Sequence, residues 1–259
     1  MGRYFQTTVI PDMIDGNVSN VIASGGSDKP FSSSDILFDW TAFDVPKGAS
    51  KLESVTATVM GEDGGTQAVG DIFLVFAKSE NTEAPTSLGD VNAAHTAGFD
   101  LPTHYIGGVK LEGSSAGQGI LVGPAFGTIY TQPPSSANGS PVPTQILQGE
   151  PDSGTNVGYD KLYVAAFTNG NLDFSTGVLS TGAISAEASA TIAVDGVDPR
   201  KCFQVGDTVY VHDVDTAAGT VASLGSGSIV LNAVTAAAVA NNDELVNANP
   251  IRVHLGFEK

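Results

Sequence analysis

The amino-acid sequence predicts an all-β fold, and three observations support that prediction. The chain has 259 residues with 31 Gly and 13 Pro, and only 15% of its residues are charged, which is unlike a helix-rich soluble domain. Its apolar residues recur at every second position or in short runs bounded by turn-forming residues, a pattern typical of strands. Helical spacing is scarce. We therefore expect a jelly-roll-like β-sandwich followed by a small β-barrel-like domain.

The sandwich is predicted over residues 1–180. Its clearest strand is 36–42, where the alternation places Trp40 on the apolar, core-facing side. The apolar run Asp71–Ala77 predicts a strand covered on both faces. A short helix is predicted around Leu88–Thr96, before Pro102. Further strands are predicted at 4–10, 55–59, 105–112, 119–130 and 161–168.

Two stretches of the first domain have the composition of long surface loops. Residues 24–35 are rich in Ser and Gly, and residues 131–160 contain repeated Pro and no basic residue. A loop as long as the second is uncommon in a compact domain unless it binds something. We therefore expect residues 131–160 to lie on a neighbouring subunit.

The barrel is predicted over residues 181–259, where the composition shifts to Ala, Thr, Val and Gly. Five short strands of this kind fit an SH3-like or OB-like barrel. The last of them, 251–257, is more aromatic and apolar than its neighbours. An alternative is that it returns to the first domain's sheet, so that the barrel is an insertion. The five predicted strands are 190–194, 206–211, 219–223, 228–231 and 251–257.

The charge balance excludes several classes of partner. The chain has 28 acidic and 11 basic side chains, for a formal charge of −17, so it repels phosphate backbones and anionic lipid headgroups. No segment has the apolar length of a membrane span or a secretory signal. The single cysteine, Cys202, excludes an internal disulfide. We expect a protein made in the cytosol that binds neither nucleic acid nor membrane.

Two glycine-rich motifs suggest chemistry that their context does not support. Residues 113–117 match the Gly-x-Ser-x-Gly pattern of a nucleophile elbow, with Ser115 at its centre. An elbow needs a following helix, which Gly119, Gly123 and Pro124 would break, so a Gly-Ser hairpin loop is the better interpretation. Residues 117–123 miss the spacing of a dinucleotide-binding loop.

The candidate metal ligands are scattered along the chain. The four histidines, at positions 95, 104, 212 and 254, are far apart in sequence, so zinc would require convergence in the fold. The segment His212-Asp213-Val214-Asp215 is interpreted as a turn with carboxylates in contact with solvent, and a calcium site is the alternative interpretation. Residues 169–173 resemble a calcium loop only in part, and a hairpin turn with a left-handed Asn169-Gly170 is the preferred interpretation.

Cys202 follows Arg200 and Lys201, which could lower the pKa of a thiol, and His212 could pair with it across a hairpin. Burial as a small apolar side chain is much the commoner role for a cysteine.

No catalytic pair can be chosen among the many carboxylates without geometry. The sequence therefore predicts a protein that is not an enzyme, with no catalytic, cofactor-binding or metal-binding residue.

One resemblance links the barrel to a known class of proteins. The phrase Phe203-Gln204-Val205-Gly206-Asp207-Thr208-Val209 is followed by Gly219-Thr220-Val221, then 228–231, and closes at 242–246. It resembles small β modules of virion proteins from tailed bacteriophages, including head-decoration and tail components. The acidic, Gly/Ser/Thr/Ala-rich composition is similar as well. The resemblance implies an assembly protein of a phage particle and carries no catalytic residue.

The expected function is therefore that of a capsid decoration, or cement, protein on the virion surface. It would bind the major capsid protein through its sandwich as a homo-oligomer, most simply a trimer, because subunits on a particle must cover their sheet edges. A tail, neck or receptor-binding fibre component is the alternative. A calcium-dependent or carbohydrate-active bacterial protein is a third hypothesis.

Overall fold

The computed structural model describes residues 3–23, 27–61, 70–79, 83–95, 104–111, 119–121, 127–131, 145–151 and 159–259. It confirms the predicted all-β fold, with two sheets in a sandwich and a third, barrel-like sheet. Short 3-10 helices occur at Val18–Asn20 and Pro199–Lys201. In the described ranges, no helix is long and apolar enough to cross a membrane.

The strands cover most of the predicted positions, with shifted bounds. In chain order they are β1 (Tyr4–Val9), β2 (Ile22–Ala23), β3 (Ser27–Asp28), β4 (Ile36–Pro46), β5 (Ser50–Met60), β6 (Asp71–Lys78), β7 (Tyr105–Leu111), β8 (Gly119–Leu121), β9 (Gly127–Thr131), β10 (Gln145–Leu147), β11 (Glu150–Pro151), β12 (Tyr159–Asn169), β13 (Val178–Ser180), β14 (Thr191–Gly196), β15 (Thr208–Val211), β16 (Val214–Gly225), β17 (Ser228–Leu231), β18 (Leu245–Asn247) and β19 (Ile251–Glu258).

The sandwich is made of two antiparallel sheets. The first sheet has the order β1-β19-β5-β9-β8, and β10 also pairs with β5. In the second sheet β12 lies between β4 and β6, β7 pairs with β6, and β11 extends the edge beside β12. Strand β19 therefore lies inside the first sheet, between β1 and β5, although the whole third sheet precedes it in the chain.

The sandwich core forms because alternate residues of each strand face inward. In β19 the residues Ile251, Val253, Leu255 and Phe257 are buried, while the residues between them are only half-buried. Phe257 stacks on Phe5 at a centroid distance of 5.0 Å and lies 6.5 Å from Phe43 of the facing sheet. Aromatic packing thus joins the two sheets at the end of the last strand.

The third sheet is nearly closed into a barrel. Its order is β13-β14-β17-β16-β15-β18, and a bridge between Leu179 and Glu244 brings its first and last strands together. Its own core includes Phe203, Val209 and Ile229. It has six strands instead of the predicted five, and residues 251–257 are not among them because they complete the first sheet.

The predicted helix at 88–96 is wrong. Residues 91–93 form a turn, and the backbone of this segment bonds to β4 instead of to itself. Asn92 N donates to the Ile36 carbonyl at 2.9 Å, and Ile36 N donates to the Ala93 carbonyl at 3.0 Å. Asn92 also has a φ of 55°, outside the right-handed helical region. Leu88 is buried by contact with the second sheet, so tertiary packing overrides the local pattern.

The single strand predicted at 119–130 is also wrong, because the structure has a β8–β9 pair there. The predicted loop 131–160 contains β10 and β11, which pair with strands of this same chain. Residues 132–144 and 152–158 of that loop, which we expected on a neighbouring subunit, lie outside the described residues. The predicted loop 24–35 contains β3 and the fully buried Phe31.

The hairpin turn predicted at 169–173 is absent. Neither Asn169 nor Gly170 has a positive φ, and the chain runs on so that Leu172 bridges to Phe31. Gly170 is needed for a different reason, since a Cβ there would lie 2.6 Å from the Cα of Gly70. Two backbones cross at this point, which only glycine permits.

A buried carboxylate joins the barrel to the sandwich. Asp207, at the start of β15, is fully buried and accepts hydrogen bonds from Gln204 N at 2.7 Å and Asn247 Nδ2 at 2.9 Å. Its other oxygen is paired with the guanidinium of Arg252 in β19. Burial raises the pKa of Asp207, and these donors oppose that effect. The phrase that suggested a virion module thus contains the residue that connects the two units.

Replacing Arg252 by Met tests this connection. We expect a loss of about 3–5 kcal/mol in the free energy of unfolding, because the substitution leaves a buried carboxylate without its cation. Chemical denaturation monitors the change. The double variant Asp207→Asn with Arg252→Met removes both charges and should recover part of the loss. Equal stability of Arg252→Met and the unmodified chain would contradict this role of the ion pair.

Candidate interaction surface

The outer face of the second sheet is covered by the chain itself. Residues 83–95 lie over it, and Leu88 packs with Ile36 and Ala165 in a separate buried cluster. Trp40 is half-buried at the border of that cluster, and its Nε1 donates to the Thr86 carbonyl at 3.0 Å. The prediction that Trp40 belongs to the sandwich core is therefore wrong. Instead, this hydrogen bond from Trp40 holds residues 83–95 against the second sheet.

The outer face of the first sheet is different, because its side chains remain exposed or half-buried. Antiparallel pairing aligns Thr8, His254 and Thr56 in one row across three strands. The next row contains Thr58 and Arg252, whose guanidinium pairs with Asp207 of the barrel. The first sheet's outer face therefore meets the barrel at this row, and small polar side chains predominate in the rows before it. We call this outer face the threonine face, defined by Gln6, Thr8, Ser54, Thr56, Thr58, His254 and Gly256.

At one end of the threonine face, four residues form a row across four strands, in the order Tyr4, Glu258, Lys51, Ile146. Tyr4 is 75% exposed and Ile146 is 71% exposed. Lys51 is paired with Glu53 and lies 3.8 Å from Glu258. The face therefore ends in two exposed apolar side chains that flank a cluster of one lysine and two glutamates.

His254 is a neutral member of this face. Its Nδ1 lies 2.9 Å from Thr8 Oγ1. Burial and the positive charge of Arg252 lower the pKa of His254 below its ordinary value. The imidazole is thus uncharged at neutral pH and acts as a hydrogen-bonding partner for Thr8.

The structure does not assemble the candidate metal sites. His254 lies on the first sheet, whereas His95 packs against the Phe167 ring at 5.2 Å and His212 lies in the barrel. Within the described ranges, no group of three or more His, Cys, Asp and Glu side chains could hold a metal ion.

The carboxylates at 212–215, for which the sequence offered calcium binding as an alternative, have other partners in the structure. Asp213 occupies the turn between β15 and β16 with a φ of 60°, and His212 Nε2 lies 3.3 Å from its carboxylate. Asp215 Oδ1 accepts a hydrogen bond from Val18 N at 2.9 Å. The carboxylate of Asp215 thus holds a 3-10 helix of the sandwich against the barrel.

Cys202 is buried in the barrel core, at 1% exposure. Its Sγ lies 3.5 Å from the Thr176 carbonyl. Arg200, the neighbour that could have activated the thiol, forms an ion pair with Asp198 at 2.6 Å. This environment is typical of a structural cysteine. Residues 113–117, the elbow-like motif, lie outside the described residues, and of residues 117–123 the structure describes only Gly119–Leu121.

The second buried carboxylate, Glu244, closes the barrel seam. Its Oε1 accepts hydrogen bonds from Thr176 N at 2.6 Å and Gly177 N at 3.0 Å. Burial raises the pKa of Glu244 above its ordinary value of 4.5, although these hydrogen bonds oppose the shift. Glu244 is bonded to backbone N–H groups, and Asp207 is bonded to Gln204, Asn247 and Arg252. Each of these two buried carboxylates therefore stabilises the fold. Sequence reasoning missed them because acidic residues are numerous and only the fold shows which are buried.

Charge is distributed unevenly along β1. A surface pocket of about 500 Å³ at its start is lined by Arg3, Tyr4, Phe5, Pro46 and Lys259. Lys259 Nζ also donates to the Lys47 carbonyl, so the cations Arg3 and Lys259 lie at this end of β1. The chain beyond the other end of β1 contains Asp12 and Asp15. Their charges and that of Asp215 add to burial in raising the pKa of Tyr210.

The raised pKa of Glu244 predicts a pH trend. The native carboxyl keeps its proton to higher pH than it does in the unfolded chain, so the native state binds more protons between the two pKa values. The contribution of Glu244 to the free energy of unfolding therefore falls as pH rises above 4.5. We expect the stability of the unmodified chain relative to Glu244→Gln to be greater at about pH 4 than at about pH 7.

Denaturation curves at both pH values measure this difference. The matched control is Glu187→Gln, which removes an exposed carboxylate of the same unit. If the unmodified chain instead gained stability relative to Glu244→Gln as pH rises, the assignment would be contradicted.

No protein-family model matches the chain, and no curated protein shows significant similarity to it.

Proposed function

We propose that this chain is a non-enzymatic structural protein of a tailed-phage virion that decorates the capsid exterior. In this proposal the threonine face binds the major capsid protein, and the barrel projects from the particle or bridges to a neighbouring subunit. The observation that carries the proposal is the asymmetry of the sandwich. One outer face is covered by residues 83–95, while the other has no such cover from the described part of the chain between its contact with the barrel at Arg252 and the row that contains Tyr4 and Glu258.

The arrangement of the barrel also supports a structural role. The phrase shared with virion modules places Phe203 in the barrel core and Asp207 in the ion pair with Arg252. Gly206 has a φ of 95°, in the left-handed region that favours glycine. Phe203 and Asp207 therefore help to fix a small barrel on a sandwich, which is useful for a module that must withstand assembly.

The net charge suits an exterior position. A formal charge of −17 limits nonspecific contact between particles and keeps the protein apart from packaged DNA. The threonine face could bind a capsid surface without bringing many like charges together, because none of its defining residues is a carboxylate and Glu53 at its border pairs with Lys51. The proposed homotrimer remains a prediction.

The test uses capsids from which this protein has been removed by deletion of its gene. Purified protein is added back, and bound protein is measured after the capsids are sedimented. We expect Thr8→Arg with Thr56→Arg to weaken binding by at least about tenfold, or ~1.4 kcal/mol, because two large cations would disrupt a flat contact. The matched control is Thr191→Arg, an exposed strand residue of the barrel.

Unchanged binding by the face variant would contradict the proposed contact. Thermal stability of the particles gives a second measurement, because cementing requires that capsids without the protein open at lower temperature. Gel densitometry separates the proposal from the tail alternative. A copy number comparable to that of the major capsid protein supports decoration, and a small fraction of it indicates a tail, neck or fibre component.

A further inference from the structure

We infer that β1 pairs with β1 of a second copy, joining two first sheets into one continuous antiparallel sheet. Strand β1 is the last strand on its side of the first sheet, and no strand in the described ranges pairs with its outer edge. An unpaired edge presents a row of free N–H and C=O groups that can accept another strand. This inference does not depend on the proposed function.

The register of β1 shows which backbone groups face outward. Arg3 and Lys259 exchange two hydrogen bonds, Arg3 N to Lys259 O at 3.1 Å and Lys259 N to Arg3 O at 2.9 Å. Because bonded and non-bonded pairs alternate along an antiparallel ladder, Phe5 and Thr7 also bond inward to β19. The backbone groups of Tyr4, Gln6 and Thr8 therefore point to the open edge.

The edge of β1 also lacks the charges that usually protect edge strands. Residues 4–9 contain no charged residue and no proline, and aromatic and β-branched residues dominate them. The other long edge strand of the sandwich, β4, carries Asp39 and Asp44, and the edge strand β7 carries Lys110. Among these edges, β1 is the one suited to accept a strand.

Charge complementarity identifies the occupant as a second copy. In an antiparallel pair centred on Gln6, Tyr4 of each copy faces Thr8 of the other. The start of each β1 then lies beside the end of the other. The cations Arg3 and Lys259 of one copy thereby approach the segment that carries Asp12 and Asp15 of its partner. The same attraction occurs twice about a two-fold axis, as an isologous contact requires.

Pairing would extend each threonine face into that of the other copy, because both belong to the joined sheet. The contact gives a dimer by itself. If the chain also forms the predicted trimer, the contact joins two trimers. Either way, loss of the contact halves the mass of the assembly.

Disulfide trapping tests the contact directly. Bonded antiparallel residues have Cα atoms about 5.5 Å apart, which a disulfide can bridge. We expect Gln6→Cys, mildly oxidised, to form a covalent dimer on a non-reducing gel. The native Cys202 is buried and does not compete. The matched control Thr191→Cys places a thiol on an exposed barrel strand. No more dimer from Gln6→Cys than from this control would overturn the inference.

A second variant tests the contact without a covalent link. Gln6→Pro removes an N–H that faces outward, so the hydrogen bonds to β19 are retained. Mass photometry should show the assembly mass halved for Gln6→Pro and unchanged for Gln6→Ala, with circular dichroism matching the unmodified chain. High salt should also promote dissociation of the two copies, because it screens the attraction between the cations of one copy and the carboxylates of the other. An unmodified chain that is monomeric, or a mass that Gln6→Pro leaves unchanged, would overturn the inference. Altered capsid binding with unchanged mass would instead identify another partner strand.

Discussion

The position of the last strand is the constraint on which the rest of the structure depends. Strand β19 fills the gap between β1 and β5, and its alternate residues supply part of the core that holds the two sandwich sheets together. It also carries Arg252 to the buried Asp207 of the barrel. One strand therefore completes the sandwich and fixes the inserted unit. The sandwich sheet cannot close until the chain has passed through the barrel, which is a demanding, nonlocal folding problem.

This arrangement has consequences for the surface. Because β19 lies between β1 and β5, the threonines of those two strands come together on the outer face of the first sheet. The second sheet has its own cover, with Trp40 and Leu88 holding residues 83–95 in place. The outer face of the first sheet thus lacks a comparable cover among the described segments, and the buried carboxylates Asp207 and Glu244 stabilise the fold.

Much of the fold could be predicted because period-two alternation is a local property. The alternation of Val55, Ala57 and Val59 indicated β5, and the turn residues on either side marked its neighbours. The helix predicted at 88–96 failed because the stabilising partners of that segment are distant in sequence, on β4. Trp40 was placed in the core because alternation shows that two faces differ and does not show which face is covered. The roles of Asp207, Glu244 and Asp215 could not be predicted, because each depends on a donor far away in the chain.

The proposals about the surface also depend on contacts between residues that are distant in the chain. Sequence alone suggested an assembly protein through the phrase 203–209, and no spacing rule could have shown that Thr8, His254 and Thr56 share one row. That row exists only because β19 returns to the first sheet. Electron cryomicroscopy of the assembled virion tests this account most directly. We expect density for this chain on the capsid exterior, with the threonine face against the major capsid protein. Density in which the threonine face points into solvent would contradict it.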